Sequence, residues 1–266
     1  MTGRAAGALA AWLLAGLLTA GAGAAPTGRA AAVRSVTAAT ATPAAPARMV
    51  LVGRSVDGRA ITARVVGPST AKRRILVVGC IHGNECAGLR IVHALARSRP
   101  AKRAQLWLIG ELNPDGTAAG TRQNAHGVDL NRNFPYQWRP VSDPTYYAGP
   151  RAASEPETRA AMKLIRRVRP AVTIWYHQHQ DLVDMAGGDR GVARRYAHLA
   201  HLRATCLPFL PGTAPGWENH DFAGSTALVV ELPAGPVGSS GLAHHLTAVE
   251  AMERGQRAGS VTSCRP

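Results

Sequence analysis

The sequence predicts an α/β fold, a single domain in which a mixed, mostly parallel β-sheet is flanked by helices on both faces. Two observations support this prediction. Short apolar runs rich in Val, Ile and Leu alternate along the chain with longer Ala- and Leu-rich segments of helical character. Several of these short runs also end in a histidine or a carboxylate, and functional sites of open α/β sheets lie at the carboxyl ends of strands.

The elements follow from the apolar runs and the turn residues between them. Residues 49–66 alternate around the turn pair Asp57-Gly58, which predicts an opening β-hairpin. Ser154, with Glu157 three residues later, predicts a capping box at the start of a helix. The other expected elements are strands at 75–79, 105–110, 171–176 and 227–230, helices at 86–98, 155–168, 191–204 and 240–254, and a long loop ending near 144.

The N-terminal region predicts export of the protein. Arg4 precedes a short apolar run and a small-residue pattern that ends at Ala24, so residues 1–24 are expected to be a signal peptide. Residues 25–48 form an Ala/Thr/Pro-rich segment that we interpret as a linker. The folded domain is expected at 49–266, without a transmembrane segment in the mature chain. The predicted location is extracellular, with attachment to the cell wall left open.

The charge balance limits the classes of partner. The chain has 31 Lys and Arg against 16 Asp and Glu, a net charge of +15, and only 5% aromatic residues. Dispersed arginines without interleaved aromatic residues argue against nucleic-acid binding. For an exported protein, the charge fits either long-range attraction to anionic wall polymers or an ordinary Arg-rich surface.

One turn carries the strongest chemical pattern. The apolar run at 75–78 leads into a Gly-rich turn with His82 and Glu85 three residues apart. This spacing lets an imidazole and a carboxylate meet on one side of the turn, as two ligands of an open zinc site must. Later apolar runs end at His177 and Glu231. His179 would lie on the same side of its strand as His177, so it is an alternative third ligand.

These residues, together with the segments at 112–116 and 127–135, resemble the zinc metallocarboxypeptidase family, most closely its bacterial murein peptide amidase branch. The resemblance extends from about 55 to about 252. It implies one Zn²⁺ ion and a zinc carboxypeptidase-like fold, with Asp129 orienting the neighbouring segment. It assigns zinc ligation to His82, Glu85 and His177, the general base to Glu231, oxyanion stabilisation to Arg122, and binding of the substrate carboxylate to Asn131 and Arg132.

The implied activity is hydrolysis of an amide bond next to a free carboxylate in short peptides. After Gly216-Trp217 the digestive carboxypeptidases carry a tyrosine that closes over the substrate, whereas this chain continues with residues 218–221, Glu-Asn-His-Asp. The absence of this phenolic lid favours short, unusual peptides, such as peptidoglycan peptides with a γ-D-glutamyl-diaminopimelate bond.

Two other functions remain open at this stage. The aspartoacylase type of zinc deacylase shares the His-Gly-Asn-Glu and Asp-Leu-Asn-Arg patterns, although Asn-Pro-Asp-Gly and Asn-Phe-Pro favour the peptidase. A catalytically inactive wall-binding module is the other alternative, and the intact ligand and base positions argue against it.

Four cysteines in an exported chain suggest disulfides, but four cysteines allow three pairings. A Cys80–Cys86 bridge would pin the turn with His82 and Glu85, and two buried thiols are the alternative there. Cys206 and Cys264 could tie the C-terminal tail to the domain, and this pair is the favoured disulfide.

Overall fold

The computed structural model describes residues 47–101 and 103–255. The expected signal peptide, nearly all of the expected linker and Cys264 lie outside these residues. The predicted leader and the Cys206–Cys264 pair therefore remain predictions.

The described residues form one eight-stranded mixed sheet. The strands are β1 (Arg48–Arg54), β2 (Ala60–Val66), β3 (Arg73–Cys80), β4 (Ala104–Glu111), β5 (Val172–Gln178), β6 (Leu182–Asp184), β7 (Arg203–Thr205) and β8 (Thr226–Leu232). Their order in the sheet is β1-β2-β4-β3-β5-β8-β6-β7. The central β4, β3, β5 and β8 are parallel, and β1 and β2 form the predicted antiparallel hairpin. The predicted fold class is confirmed.

Helices cover both faces of the sheet. They are α1 (Gly88–Leu95), α2 (Pro114–Ala119), α3 (Pro156–Val168), α4 (Arg190–Ala200), α5 (Ala214–Asp221) and α6 (Ser239–Arg254). Helices α1, α4 and α6 contribute to one hydrophobic core, and α3 and α5 contribute to the other.

Strand β3 shows why the centre of the sheet is parallel. Its side chains alternate between the two cores, with Ile75 and Val77 in one and Leu76 and Val78 in the other. A strand buried on both faces needs apolar residues at every position, which is the pattern of parallel sheets covered by helices. Because β3, β5 and β8 are adjacent and parallel, the residues at their carboxyl ends meet at one edge of the sheet.

The predicted capping box is wrong. Helix α3 begins at Pro156, and the residue before it, Glu155, has an extended backbone without a capping side-chain hydrogen bond. Ser154 Oγ instead donates to the Glu155 carboxylate. Glu157 accepts a hydrogen bond from the Val56 backbone rather than returning to the helix start.

The helix expected at 191–204 is too long. Helix α4 ends at Ala200, because His201 adopts a left-handed backbone conformation with φ 57°. The next residues form the short strand β7, which pairs in parallel with β6. Neither of these strands, nor α2 or α5, was predicted. No helix among the described residues is both long enough and apolar enough to span a membrane.

Candidate active site

Three side chains with metal-binding atoms converge at the edge where β3 and β5 end. His82 Nδ1 lies 2.9 Å from Glu85 Oε2, and His177 Nδ1 lies 3.2 Å from the same oxygen. One ligand atom from each residue lies within 4.8 Å of the others. Two imidazoles and one carboxylate at this spacing fit a zinc ion, which binds such atoms at about 2.0–2.2 Å and keeps a fourth position open in catalytic sites. The donor set therefore fits the ion that the sequence implies.

The structure distinguishes between the two candidate histidines at the end of β5. His177 is buried and belongs to the cluster, whereas His179 is exposed and lies outside it. His177 is therefore the histidine that the fold places with His82 and Glu85.

The turn that carries His82 and Glu85 is covalently closed and tightly packed. A disulfide joins Cys80 and Cys86, which is one of the two states considered for this pair. A Cβ atom on Gly83 would lie 1.9 Å from the backbone carbon of Gly116. Only glycine fits at this position, so helix α2 and the disulfide together fix the direction of both candidate ligands.

A buried carboxylate orients His82 through the ring nitrogen that does not face Glu85. Asp129 Oδ1 lies 2.9 Å from His82 Nε2, the ring nitrogen that faces away from Glu85. A carboxylate behind a ligating histidine fixes its tautomer and increases its basicity as a ligand. Burial alone would raise the pKa of Asp129, but the charges of His82 and Arg122 hold it well below its usual range. Asp129 therefore stays ionised.

The same carboxylate also orients the neighbouring segment, as expected. Asp129 Oδ1 accepts a hydrogen bond from the Asn131 backbone at 2.9 Å. The contact with His82 was not predicted from the sequence. A carboxylate 47 positions away in the chain gives no local signal of such a pairing.

Glu231 faces the cluster from the neighbouring strand. It is the direct partner of His177 in the parallel pairing of β5 and β8. Its side chain is buried, and Oε2 has no hydrogen-bond partner among the described residues. Burial, followed by the negative charge of Glu85, raises its pKa. A buried carboxylate whose oxygen has no hydrogen-bond partner, beside a candidate metal site, can accept and return a proton.

Arg122 and Arg132 have different electrostatic surroundings. Arg122 donates to Glu85 Oε1 at 2.6 Å and to Asp129 Oδ2 at 3.0 Å, so it is already paired with carboxylates. Arg132 is buried and donates to the backbone oxygen of Asn131, and it forms no ion pair within the described part of the chain. Burial lowers the pKa of Arg132, against the attraction of Asp129. Arg132 is therefore a buried cation that no carboxylate in the described residues binds directly.

Asn131 connects this cation to the histidine cluster. Its Nδ2 atom lies 3.5 Å from His177 Nε2, and its Oδ1 atom accepts the backbone N–H of Ala214 at the start of α5. The structure thus brings the seven residues singled out in the sequence into one site.

A tyrosine that sequence reasoning missed lies against both arginines. The Tyr146 ring centroid is 5.2 Å from the guanidinium carbon of Arg122 and 5.4 Å from that of Arg132. Tyr146 ends a single 3-10 turn within a long connection, where no hydrophobic periodicity could have indicated its position. The segment where digestive carboxypeptidases carry their lid tyrosine is instead part of α5, with Glu218 buried in the core.

The region of the chain that contains most of this site matches a known protein family. A model described as zinc carboxypeptidase matches residues 36–197, more than half of the 266 residues. The chain belongs to the zinc carboxypeptidase family. Six of the seven site residues lie inside the matched range of this family. Glu231 lies beyond it, so its position relative to the others rests on the register of β5 and β8.

Proteins named murein peptide amidase A are similar to part of the chain. Murein peptide amidase A of Escherichia coli strain K12 is 34% identical over 109 residues, which covers 36% of this chain and 45% of that protein. Murein peptide amidase A of Vibrio campbellii is 35% identical over 116 residues, covering 39% and 47% respectively. The matched region thus spans less than half the length of these relatives.

Solved structures of the family share the fold. A murein-tripeptide amidase from Escherichia coli O157 aligns with a TM-score of 0.61 at 24% identity, over 79% of this chain and 91% of that one. Carboxypeptidase A from Helicoverpa armigera aligns with a TM-score of 0.66 at 18% identity, over 78% and 68%. At these identities the likeness concerns the fold alone.

Proposed function

We propose that the protein is an exported, zinc-dependent hydrolase that cleaves an amide bond next to a free carboxylate in short peptides. The observation that carries the proposal is the occurrence, in one site, of the His82–Glu85–His177 cluster and a buried arginine, Arg132, that forms no ion pair with the described residues. The cluster suits the chemistry of amide hydrolysis, and the arginine suits recognition of an anionic end group. Family membership supports the same reaction.

The proposed mechanism gives each residue a step. Zinc bound by the cluster would lower the pKa of a water molecule to about 7 and polarise the scissile carbonyl. Glu231 Oε2 takes the proton of the attacking water and returns it to the leaving amine. The guanidinium of Arg122 stabilises the negative charge that develops on the carbonyl oxygen.

Substrate binding depends on the neighbouring loop. Arg132 presents a planar guanidinium fork that suits a bidentate contact with a carboxylate, and Asn131 orients its own amide beside it. Since Arg132 is buried and forms no ion pair with any described residue, a substrate carboxylate would supply a directly bound anion. This requirement would restrict cleavage to amides close to a free carboxylate.

The proposed substrate class is peptidoglycan-derived peptide with a γ-D-glutamyl-diaminopimelate bond. The similarity to proteins named murein peptide amidase A supports this choice. The absence of the lid tyrosine after Trp217 is consistent with short substrates. The proposed export rests on the leader pattern at the N-terminus, and a mature protein that begins after Ala24, measured by intact mass, would support it.

The test compares three substrates with and without a chelator: a wall tripeptide containing diaminopimelate, an ordinary peptide with a free C-terminus, and an N-acyl amino acid. Mass spectrometry should detect chelator-sensitive release of diaminopimelate, and Glu231→Gln should abolish it while leaving zinc bound. Cleavage of the N-acyl amino acid alone would indicate a deacylase instead. Wall binding without turnover of any substrate would indicate an inactive binding module.

The positive charge supports a further part of the proposal, attraction to anionic wall polymers. Arg48, Arg74 and Arg167 line a cavity of about 300 Å³ beside Trp107, and none of them pairs with a carboxylate in the described region. Because exposed charges are screened by salt, co-sedimentation with purified walls should weaken as the salt concentration rises. Wall binding that is insensitive to salt would contradict this part.

A further inference from the structure

An exposed aromatic ring contacts the guanidinium groups of both arginines of the site. Tyr146 ends a short 3-10 turn, Pro144–Tyr146, and its side chain remains 41% exposed. The guanidinium carbons of Arg122 and Arg132 lie 5.2 Å and 5.4 Å from its ring centroid. Both distances are within the range of about 6 Å for cation–π attraction. One ring therefore contacts the two cations to which the proposed mechanism gives different tasks.

The turn that carries Tyr146 is anchored to the site itself. Gln123 Nε2, on the residue after Arg122, donates to the backbone oxygens of Pro144 and Thr145 at 3.2 Å and 2.9 Å. At the other end of the turn, the backbone N–H of Asp129 donates to the oxygen of Tyr147 at 2.8 Å. Residues next to or within the site thus hold both sides of the turn, so the position of the ring is coupled to that of the arginines.

The contact uses the ring rather than the hydroxyl group. Among the described residues, no hydrogen bond engages the Tyr146 hydroxyl, whereas the ring face contacts both guanidinium groups. Arg122 is additionally restrained by Glu85 and Asp129. Within the described ranges, Arg132 has one side-chain hydrogen bond, to the Asn131 backbone, so contact with the ring is a second restraint on its guanidinium group.

We propose that Tyr146 is a positioning and specificity-determining residue whose ring fixes the separation between Arg132 and Arg122. This inference rests on the proposed function. With the ring in place, a carboxylate at Arg132 sets the scissile carbonyl beside Arg122, and peptides without a carboxylate at that distance bind poorly. Recognition of the carboxylate thus depends on the aromatic ring of Tyr146. Digestive carboxypeptidases carry their lid tyrosine in a different segment, the one that follows Trp217 here.

The test measures binding in a protein that cannot turn over its ligand. The experiment uses the zinc-loaded Glu231→Gln protein. Calorimetry compares the tripeptide L-alanyl-γ-D-glutamyl-diaminopimelate with the same peptide in which the diaminopimelate carboxylate next to the γ-glutamyl amide nitrogen is converted to an amide. Adding Tyr146→Ala should weaken binding of the acid by about five- to thirtyfold, from the loss of two cation–π contacts, and should leave the amide unchanged. Adding Tyr146→Phe, which keeps the ring, should change both affinities by less than about twofold.

Tyr147→Ala is the matched control, because Tyr147 is similarly exposed and the cation–π contacts that the described residues make to Arg122 and Arg132 come from Tyr146. The inference is overturned if Tyr146→Ala retains the full preference for the acid, or if it weakens acid and amide equally. A parent protein that binds acid and amide alike would refute the role of Arg132 in the proposed function, and the inference with it. A preference present in the parent and unchanged in Tyr146→Ala would refute the inference alone.

Discussion

Replacing Asp129 by asparagine tests the carboxylate behind the proposed metal ligand. Asp129 is fully buried and accepts from Arg122 and from the Asn131 backbone, in addition to its contact with His82. Asparagine keeps the shape but replaces one oxygen by an NH₂ group. Arg122 and the Asn131 backbone both donate hydrogen bonds to the Asp129 carboxylate, and His82 contacts it as well. The NH₂ group of the introduced asparagine would therefore point at a donor, or replace the oxygen that His82 contacts.

The expected losses of zinc affinity and of folding stability follow from those contacts. Replacement of the group that orients a metal-bound histidine typically lowers metal affinity by about 10- to 100-fold, or about 1.4–2.7 kcal/mol. Facing the Arg122 guanidinium with an amide adds a folding defect on the order of 1–3 kcal/mol, because Arg122 keeps its ion pair with Glu85. The zinc-free variant should therefore be less stable than the zinc-free parent, and it should also bind zinc less tightly.

The assay is competition for zinc between the protein and a chromophoric chelator, together with urea unfolding of the zinc-free forms. Glu157→Gln is the matched control, because Glu157 is also a fully buried carboxylate but contacts Val56 and Asn124 rather than the cluster. Zinc affinity of Asp129→Asn within twofold of the parent would refute the orienting role. An equal loss in Glu157→Gln would show that the effect is one of general stability.

Three further predictions concern other parts of the molecule. Arg132→Ala should raise KM for carboxylate-bearing peptides by an amount equivalent to about 2 kcal/mol or more, with little change in zinc affinity; an unchanged KM would mean that the carboxylate binds elsewhere. Replacing Cys80 and Cys86 together by serine should reduce the free energy of unfolding by about 2 kcal/mol, as measured in urea, because a short loop is no longer closed in the unfolded chain. Burial raises the pKa of Glu218 from 4.5 to about 7 despite hydrogen bonds from neighbouring hydroxyl groups. The native state thus keeps a proton that the unfolded chain releases, so stability should fall by about 3 kcal/mol as pH rises from 4.5 to 7; Glu218→Gln should flatten this slope, and an unchanged slope would contradict the assignment.

The sequence predicted the parts of the site that depend on strand ends. The apolar run before His82 and the one before His177 both read as buried strands, and strands of that kind are parallel neighbours in an α/β sheet. The position of Glu231 follows in the same way from the strand that ends there. For these residues, sequence pattern and three-dimensional position are directly linked by the register of the sheet.

The residues that were missed depend on irregular backbone. Asn113 caps α2 and Pro114 starts it, yet the segment was interpreted only as a motif after a strand. Helix α4 ends at a left-handed His201, where a glycine would have marked the end but histidine does not. Tyr146 and the contact between Asp129 and His82 depend on loops whose paths no periodicity describes. The supporting parts of the site therefore required the structure, whereas its central residues did not.

The charges of the site are consistent with the proposed ligand, a peptide with one anionic end. Within the described residues, Glu231 Oε2 has no hydrogen-bond partner, and Arg132 has no ion-pair partner. Asn131, the neighbour of Arg132 in the chain, contacts His177, and His177 is the strand partner of Glu231. A peptide whose carboxylate pairs with Arg132 would place the adjacent amide toward His177 and Glu231. Asp129 attracts Arg132 without an ion pair between them in the described region, so an uncharged peptide end would leave this guanidinium without a directly bound carboxylate. In the proposed function, the order Arg132, Asn131, His177, Glu231 would set both the direction in which a substrate binds and the amide bond that is exposed to the base.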